Sequence, residues 1–295
     1  MKVLVVGHKG QLGSELMDCA RRRGFDAVGA DRPEYDITQP VSIDRLFSDA
    51  RSVDVVINAA AYTAVDRAES EADIAFGINR DGAGHLARAC RQNRIPLIHI
   101  STDYVFGGLQ TRPYRPSDPV DPHGVYAQSK AAGEEAIRKQ LDRHIILRVS
   151  WLFGKYGNNF VKTMVRLGRE KETLKVVDDQ IGSPTYAGDL ADALLQMAER
   201  IGSGFNGWGT YHYCNVGALT WYAFTRKIIA LSRPYEKLRV RNVVSILSTH
   251  FPTAAPRPPY SVLDCKSFDQ TFGIARRPWE AALKEMLAAL YTSCS

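Results

Sequence analysis

Tyr126 and Lys130 stand four residues apart in VYAQSK, at the head of an alanine-rich run that reads as a helix. On a helix this spacing turns two side chains by about 40° and lifts them by roughly 6 Å, so they share one face. A phenol titrating near ~10 donates its proton poorly at neutral pH, and a neighbouring ammonium stabilises the phenolate and brings that value down. The pair reads either as a proton donor, Tyr126, with its electrostatic tuner, Lys130, or as two residues on a solvated helix face. Upstream of Tyr126 by 24 residues, a strand-like run ends in ISTDYVF and sets Ser101, Thr102 and Asp103 at a strand's carboxyl end, where open α/β sheets carry their ligands. A hydroxyl there can donate to a carbonyl oxygen.

GHKGQLG follows directly on the first apolar run and places Gly7, Gly10 and Gly13 before the helix-like ELMDCARRR. Glycines allow a tight turn and close backbone approach, and the N-terminus of the next helix offers unpaired N–H groups to a pyrophosphate. Asp31 ends the second strand-like run 21 residues after Gly10, where a carboxylate can accept from the adenosine ribose hydroxyls. Arg32 beside it could meet a 2′-phosphate that Asp31 would repel, so NADH and NADPH both stay open. Ala59, Ala60 and Ala61 after the third run are small enough for a cofactor to lie against the backbone.

The elements that must hold these residues are short β-branched runs at 3–6, 26–30, 54–58, 96–100 and 144–149, alternating with helix-like stretches, clearest at 71–93 and 126–140. Near-continuous apolar strands separated by helices imply a parallel sheet covered on both faces. Beyond residue 150 the rhythm loosens, with helical patterns at 158–170 and 188–200, a Gly-rich break at 201–209 and a Pro-rich FPTAAPRPPYS at 251–261. Proline fixes φ and removes a donor, so that last segment is neither helix nor central strand. Thr38 in EYDIT reads as a helix cap.

The chain of 295 residues, 45% hydrophobic and 24% charged, has the composition of a globular protein. Met1 runs straight into a strand pattern without the features of a leader, and no stretch reaches the roughly 18 apolar residues of a membrane span. A cytoplasmic chain with no membrane partner is expected. Five scattered cysteines, none spaced as CxxC, read as free thiols. The net charge of +6 is dispersed rather than gathered in a basic tract, so a phosphate-bearing small molecule is the expected partner and nucleic acid is not. No histidine pair has metal-ligand spacing, and His212 with Cys214 is too little for zinc. No metal site is expected.

GHKGQLG, STDYVF and YAQSK resemble the extended short-chain dehydrogenase/reductase family. INAAAYTAVDRAE, RVSWLFG, VVDDQIGSPTYAGDLA and RPPYSVLD are similar, more narrowly, to its dTDP-4-dehydrorhamnose reductases, a resemblance that covers nearly the whole chain. It implies an α/β fold: a Rossmann-type doubly wound parallel sheet with a smaller α/β substrate-binding domain. The first would comprise 1–149 with about 186–218 and 276–295, the second about 150–185 and 219–275. The implied activity is NAD(P)H-dependent reduction of the C4 ketone of a dTDP-sugar in deoxysugar and O-antigen polysaccharide biosynthesis. By the same resemblance Gly10, Gln11, Leu12, Asp31, Asp36, Ile37 and Ala59 to Ala61 contact the dinucleotide, and Thr102, Asp103 and Trp151 lie at the sugar. Arg257 would offer a cation to the diphosphate or brace a loop. Some relatives hold magnesium at a dimer interface through a glutamate at the Glu15 position, although Glu15 is also a first-turn acid of the kind the helix dipole favours. The sequence departs from the family at Arg115 to Ser117 and at Ala127. Another nucleotide-sugar epimerase or ketoreductase, or a non-catalytic regulatory subunit on the same fold, would share the dinucleotide motifs.

Overall fold

The computed structural model describes residues 1–292, so Cys294 and the last residues of the segment assigned to the sheet at 276–295 lie outside it. The apolar runs form one all-parallel sheet of six strands: β1 (Lys2–Val6), β2 (Asp26–Ala30), β3 (Val55–Asn58), β4 (Leu97–Thr102), β5 (His144–Val149) and β6 (Gly209–Tyr213). Their order across the sheet is β2-β1-β3-β4-β5-β6. Successive strand residues point to opposite faces. Val3, Val5, Val55, Ile57 and Ile145 therefore pack against helices Gln11–Arg23 and Ala187–Gly202. Leu4, Val6, Val56, Leu97 and Ile146 pack against Pro40–Asp49, Ala83–Asn93 and Val125–Gln140. With both faces covered, every strand residue of β1 after Lys2 is buried, which is why the strand reads as an unbroken apolar run.

The chain leaves β1 toward β2 on one side and returns to β3 on the other, so β1 and β3 flank the point where strand order reverses. Ligands of doubly wound sheets sit in the crevice outside such a point. A second core, around Phe153, Val161, Val165, Phe224 and Ile228, belongs to the later part of the chain. Its small parallel ladder pairs Thr173–Val177 with Asn242–Ile246.

Three sequence expectations change. The C-terminal assignment reverses: Phe268 and Phe272 join the core of the large sheet, while Trp279, Leu283, Met286 and Leu287 complete the smaller core. The reason is that helix Trp279–Thr292 buries its apolar face against Trp221–Ser232 rather than against the sheet. The Gly-rich break at 201–209 leads into β6, whose Tyr211 and Tyr213 are buried. The single helix expected over 71–93 contains a π turn at Gly77–Gly82 between two α segments. Thr38 caps nothing, since its hydroxyl and amide both donate to Asp36 Oδ1 and the helix starts at Pro40 after Gln39.

Candidate active site

Gly7 follows β1 with φ at 83°, in the left-handed region, and a Cβ there would stand 2.6 Å from the Ala60 nitrogen. A Cβ on Gly13 would fall 2.1 Å from the Gly7 carbonyl oxygen. These two glycines let the loop turn tightly between β3 and its own helix. The helix opens at Gln11 with no side-chain cap, so the N–H groups of its first turn face the crevice end of the sheet. A cavity of about 310 Å³ lies beside the loop, and Gln11, Leu12 and Gly13 are not among the residues that line it. Gly7, Gly10, Asp31 and Arg32 line it on one side, and Asp36, Ile37 and Ala59 to Ala61 on the other.

Leu12 is different: its side chain is buried in the sheet core. Gln11 accepts from Asn159 Nδ2 at 3.0 Å. Asp31 accepts from the Lys9 amide at 3.0 Å and the Arg32 amide at 2.8 Å, so its carboxylate also braces the glycine loop. Lys9, Tyr35 and Ile78 line the same cavity and escaped the sequence reading. Lys9 at least lay within the quoted loop, whereas Ile78 comes from the π turn and carried no signal.

That π turn also seats the helix bearing Tyr126 and Lys130. Asn79 Nδ2 donates to Ser129 Oγ at 2.9 Å and to the Tyr62 carbonyl at 3.1 Å. The approach is close enough that a Cβ on Gly133 would overlap the Asn79 carbonyl oxygen. The helix begins at Val125, whose amide donates to Glu69 Oε1 at 2.8 Å. Ala127, where the family often has glycine, is fully buried without strain.

Tyr126 and Lys130 are not surface decoration. Lys130 is 2% exposed and donates to the Ile100 carbonyl at 2.7 Å. Burial lowers its ammonium to about 8, opposed by the Glu134 carboxylate. Burial raises the Tyr126 phenol to about 12, opposed by its hydrogen bond with Thr102. Lys130 does not depress the phenol here as the spacing anticipates, because its Nζ is drawn toward β4. At neutral pH the phenol holds its proton, the form a donor needs.

Thr102 Oγ1 donates to Asp103 Oδ1 at 3.1 Å and accepts from the Tyr104 amide at 3.2 Å. Burial lifts the Asp103 carboxyl to about 6, against the hydroxyls of Ser261 and Thr102. Ser101, Glu134 and Arg148 lock the strand end to the helix: Arg148 grips both carboxylate oxygens of Glu134 at 2.8 and 2.7 Å, and Ser101 Oγ donates to Oε1 at 2.6 Å.

A second cavity, of about 560 Å³, opens on the other side of Tyr104, whose ring meets Tyr126 edge-on at 5.6 Å. Phe160, Met164, Trp221 and Phe251 give it an apolar wall, and Lys175 and Arg257 give it cations. Arg257 also donates to Asp66 Oδ2 at 2.7 Å, so the cation is tethered at the rim. Trp151 takes a positive φ of 46° and stacks on Trp221 at 3.4 Å. Its indole lies where a Cβ on Gly182 would come within 2.4 Å. Sequence reading singled out Trp151 and missed Trp221, which lines the cavity.

Glu15 is 2% exposed and 3.9 Å from Lys155, with burial raising its carboxyl. Among the described residues no three His, Cys, Asp or Glu side chains gather as a metal site. The described cysteines are buried and form no disulfide, although the Cys214 and Cys265 sulfurs stand 3.5 Å apart. No described helix is long and apolar enough to cross a membrane.

The sequence profile of the RmlD substrate binding domain matches residues 1–292. The chain belongs to the RmlD substrate binding domain family. Among its relatives, the dTDP-4-dehydrorhamnose reductase of Aggregatibacter actinomycetemcomitans is 41% identical over 97% of this chain and 98% of that protein. The solved structure of a Clostridium acetobutylicum dTDP-4-dehydrorhamnose reductase superposes with a TM-score of 0.91 at 36% identity, covering 98% of this chain and 99% of that one. That of the Bacillus anthracis dTDP-4-dehydrorhamnose reductase in complex with NADP gives 0.90 at 36% identity over the same shares. The α/β architecture of this RmlD-family chain is thus the one on which reductases of that name are built.

In this RmlD-family chain Gly13→Ala is expected to displace the loop, because the added Cβ meets the Gly7 carbonyl and His8 Cα, both backbone. Overpacking of this kind costs about 1–3 kcal/mol. The check is fluorescence titration with NADPH beside thermal melting: affinity should fall about tenfold or more, and an unchanged affinity contradicts this use of the loop.

Proposed function

We propose that the protein reduces the C4 ketone of a dTDP-linked 4-dehydro-6-deoxy sugar, dTDP-4-dehydrorhamnose, to dTDP-L-rhamnose at the expense of a nicotinamide dinucleotide. The observation that carries this reading is a pair of cavities of different character, one at the glycine loop and one walled in part by Tyr104, whose ring meets Tyr126 edge-on at 5.6 Å. The glycine-loop cavity suits a dinucleotide: backbone N–H groups for the pyrophosphate, and Asp31 with the cations of Lys9 and Arg32 at the adenosine end. The larger cavity combines an aromatic wall for a base or sugar with Lys175 and Arg257 for phosphate. The relatives' activity supports the choice of substrate.

The dinucleotide, when bound, supplies the hydride. Tyr126 gives its proton to the oxygen that becomes the C4 hydroxyl. Thr102 has one hydroxyl proton, now on Asp103, and turning it to the substrate oxygen polarises the carbonyl. Lys130, in its ammonium form, holds the nicotinamide ribose; with its Nζ on the Ile100 carbonyl it does not itself lower the Tyr126 phenol. Trp221 backed by Trp151 gives the sugar a flat apolar face and keeps water from the reacting carbon.

The test is to mix the protein with NADPH and dTDP-4-dehydrorhamnose and follow nicotinamide absorbance. One equivalent of NADPH should be consumed per product formed. An epimerase would retain its nicotinamide through the cycle, and a folded, cofactor-binding sample that oxidises none overturns the reading in favour of a binding subunit.

A further inference from the structure

His99 sits directly opposite Asn58 in the β3–β4 register, and both are buried. The orientation of the Asn58 amide is fixed from outside the pair. The Ala60 backbone N–H, which can only donate, approaches Asn58 Oδ1 at 3.0 Å, so Nδ2 is the group that faces His99 Nδ1, at 3.0 Å. An amide N–H₂ only donates, so Nδ1 must accept. A neutral imidazole then carries its proton on Nε2. That atom lies 3.4 Å from Lys130 Nζ.

We infer that Asn58 and His99 are a positioning pair that turns the imidazole N–H toward Lys130, so that the catalytic lysine holds its own proton loosely. Two donors facing each other repel. The conflict is relieved when Lys130 becomes an amine, which accepts from Nε2–H while still donating to the Ile100 carbonyl. The inference rests on the proposed reductase chemistry for the role of Lys130, but the proton position on His99 does not.

The remaining groups around Lys130 agree with this assignment. Burial, and after it the Lys130 charge, push the imidazole well below its usual range, so His99 is neutral. From its own helix Lys130 feels Glu134, the one carboxylate favouring its ammonium. Arg148 from β5 and Arg138 both bind that carboxylate and divert its charge. His144, at the head of β5, also disfavours a charged His99. Because Ala60 lines the dinucleotide cavity and its amide anchors Asn58, the chain Ala60–Asn58–His99–Lys130 links the cofactor wall to the lysine. The consequence for catalysis is a kcat/KM that falls as pH rises through the lysine's ionisation, in a range set by this pair rather than by burial alone.

Nitrogen-15 NMR of the full-length protein labelled at histidine reads the tautomer directly. A neutral His99 with its proton on Nε2 is expected, and a proton on Nδ1, or an imidazolium at neutral pH, overturns the inference whether or not the protein is active. His99→Gln places an amide near the Nε2 position, and its carbonyl can accept from the ammonium. The basic limb of kcat/KM, and the pH dependence of NADPH binding read alongside it, should move up by about one pH unit, the size of one charge-assisted hydrogen bond. A purely structural role for His99 would lower kcat or stability without moving either limb, and an unmoved or lowered limb sinks the inference. If His99→Gln does not fold, the tautomer in the unaltered protein still decides.

Discussion

Tyr126→Phe is expected to lower kcat by about 10² to 10⁴, the usual contribution of a positioned general acid, or roughly 3 to 5 kcal/mol of barrier. The substitution removes one oxygen and little else. The phenyl ring can keep its edge-on contact with Tyr104, and Thr102 retains Asp103 and the Tyr104 amide as partners. Cofactor affinity should therefore be close to that of the unaltered protein, which separates loss of the proton donor from loss of the fold. Steady-state reduction of dTDP-4-dehydrorhamnose, with NADPH titration as control, provides the measurement. Full turnover by a cofactor-binding Tyr126→Phe protein would remove Tyr126 from the mechanism.

The second large effect is on stability. Glu134→Gln is expected to cost about 3–5 kcal/mol, because it leaves the Arg148 guanidinium buried without its counter-charge. Burial alone would raise the Glu134 carboxyl, but Arg148, with Ser101 and Arg138, overcomes it and holds the group at about 2. A carboxyl whose folded value lies below its unfolded value of 4.5 contributes stability that is complete above pH 4.5. That contribution is lost as pH falls from there through about 2. Urea denaturation at neutral pH should show the loss, and the variant's stability should vary less with pH across the acid window. A variant within 1 kcal/mol of the unaltered protein, an order-of-magnitude threshold set against the expected cost, would mean that Arg148 finds another partner. Since Ser101 precedes Thr102, the same substitution should also loosen the strand end that carries the Thr102 hydroxyl.

The glycine loop and the central strands were legible because their constraints are local. Gly7 and Gly13 are required by backbone atoms only a few residues away, or across one strand, and the strands are apolar on both faces. Tyr126 and Lys130 were legible as a spacing, but their burial was not, since an alanine-rich helix shows little apolar contrast. His99 in an apolar strand reads as one more core residue, and only the fixed Asn58 amide gives it a direction. The smaller core was least legible. Its strands Thr173–Val177 and Asn242–Ile246 pair across more than 60 residues, and although the first alternates, the second does not. The C-terminal helices were exchanged for a related reason: either amphipathic face could cover either core, and only the three-dimensional contacts choose.

The two cavities also differ in how much chain each must wait for. Every residue lining the glycine-loop cavity falls between Val6 and Ile78, in the first units of the sheet. The other cavity closes only when Arg257 reaches Asp66, a contact spanning 191 residues. Long-range closure comes late and at a higher entropic cost. On the ribosome the glycine-loop cavity therefore has its full complement of residues once Ile78 is made, whereas the aromatic-walled cavity must wait for Arg257.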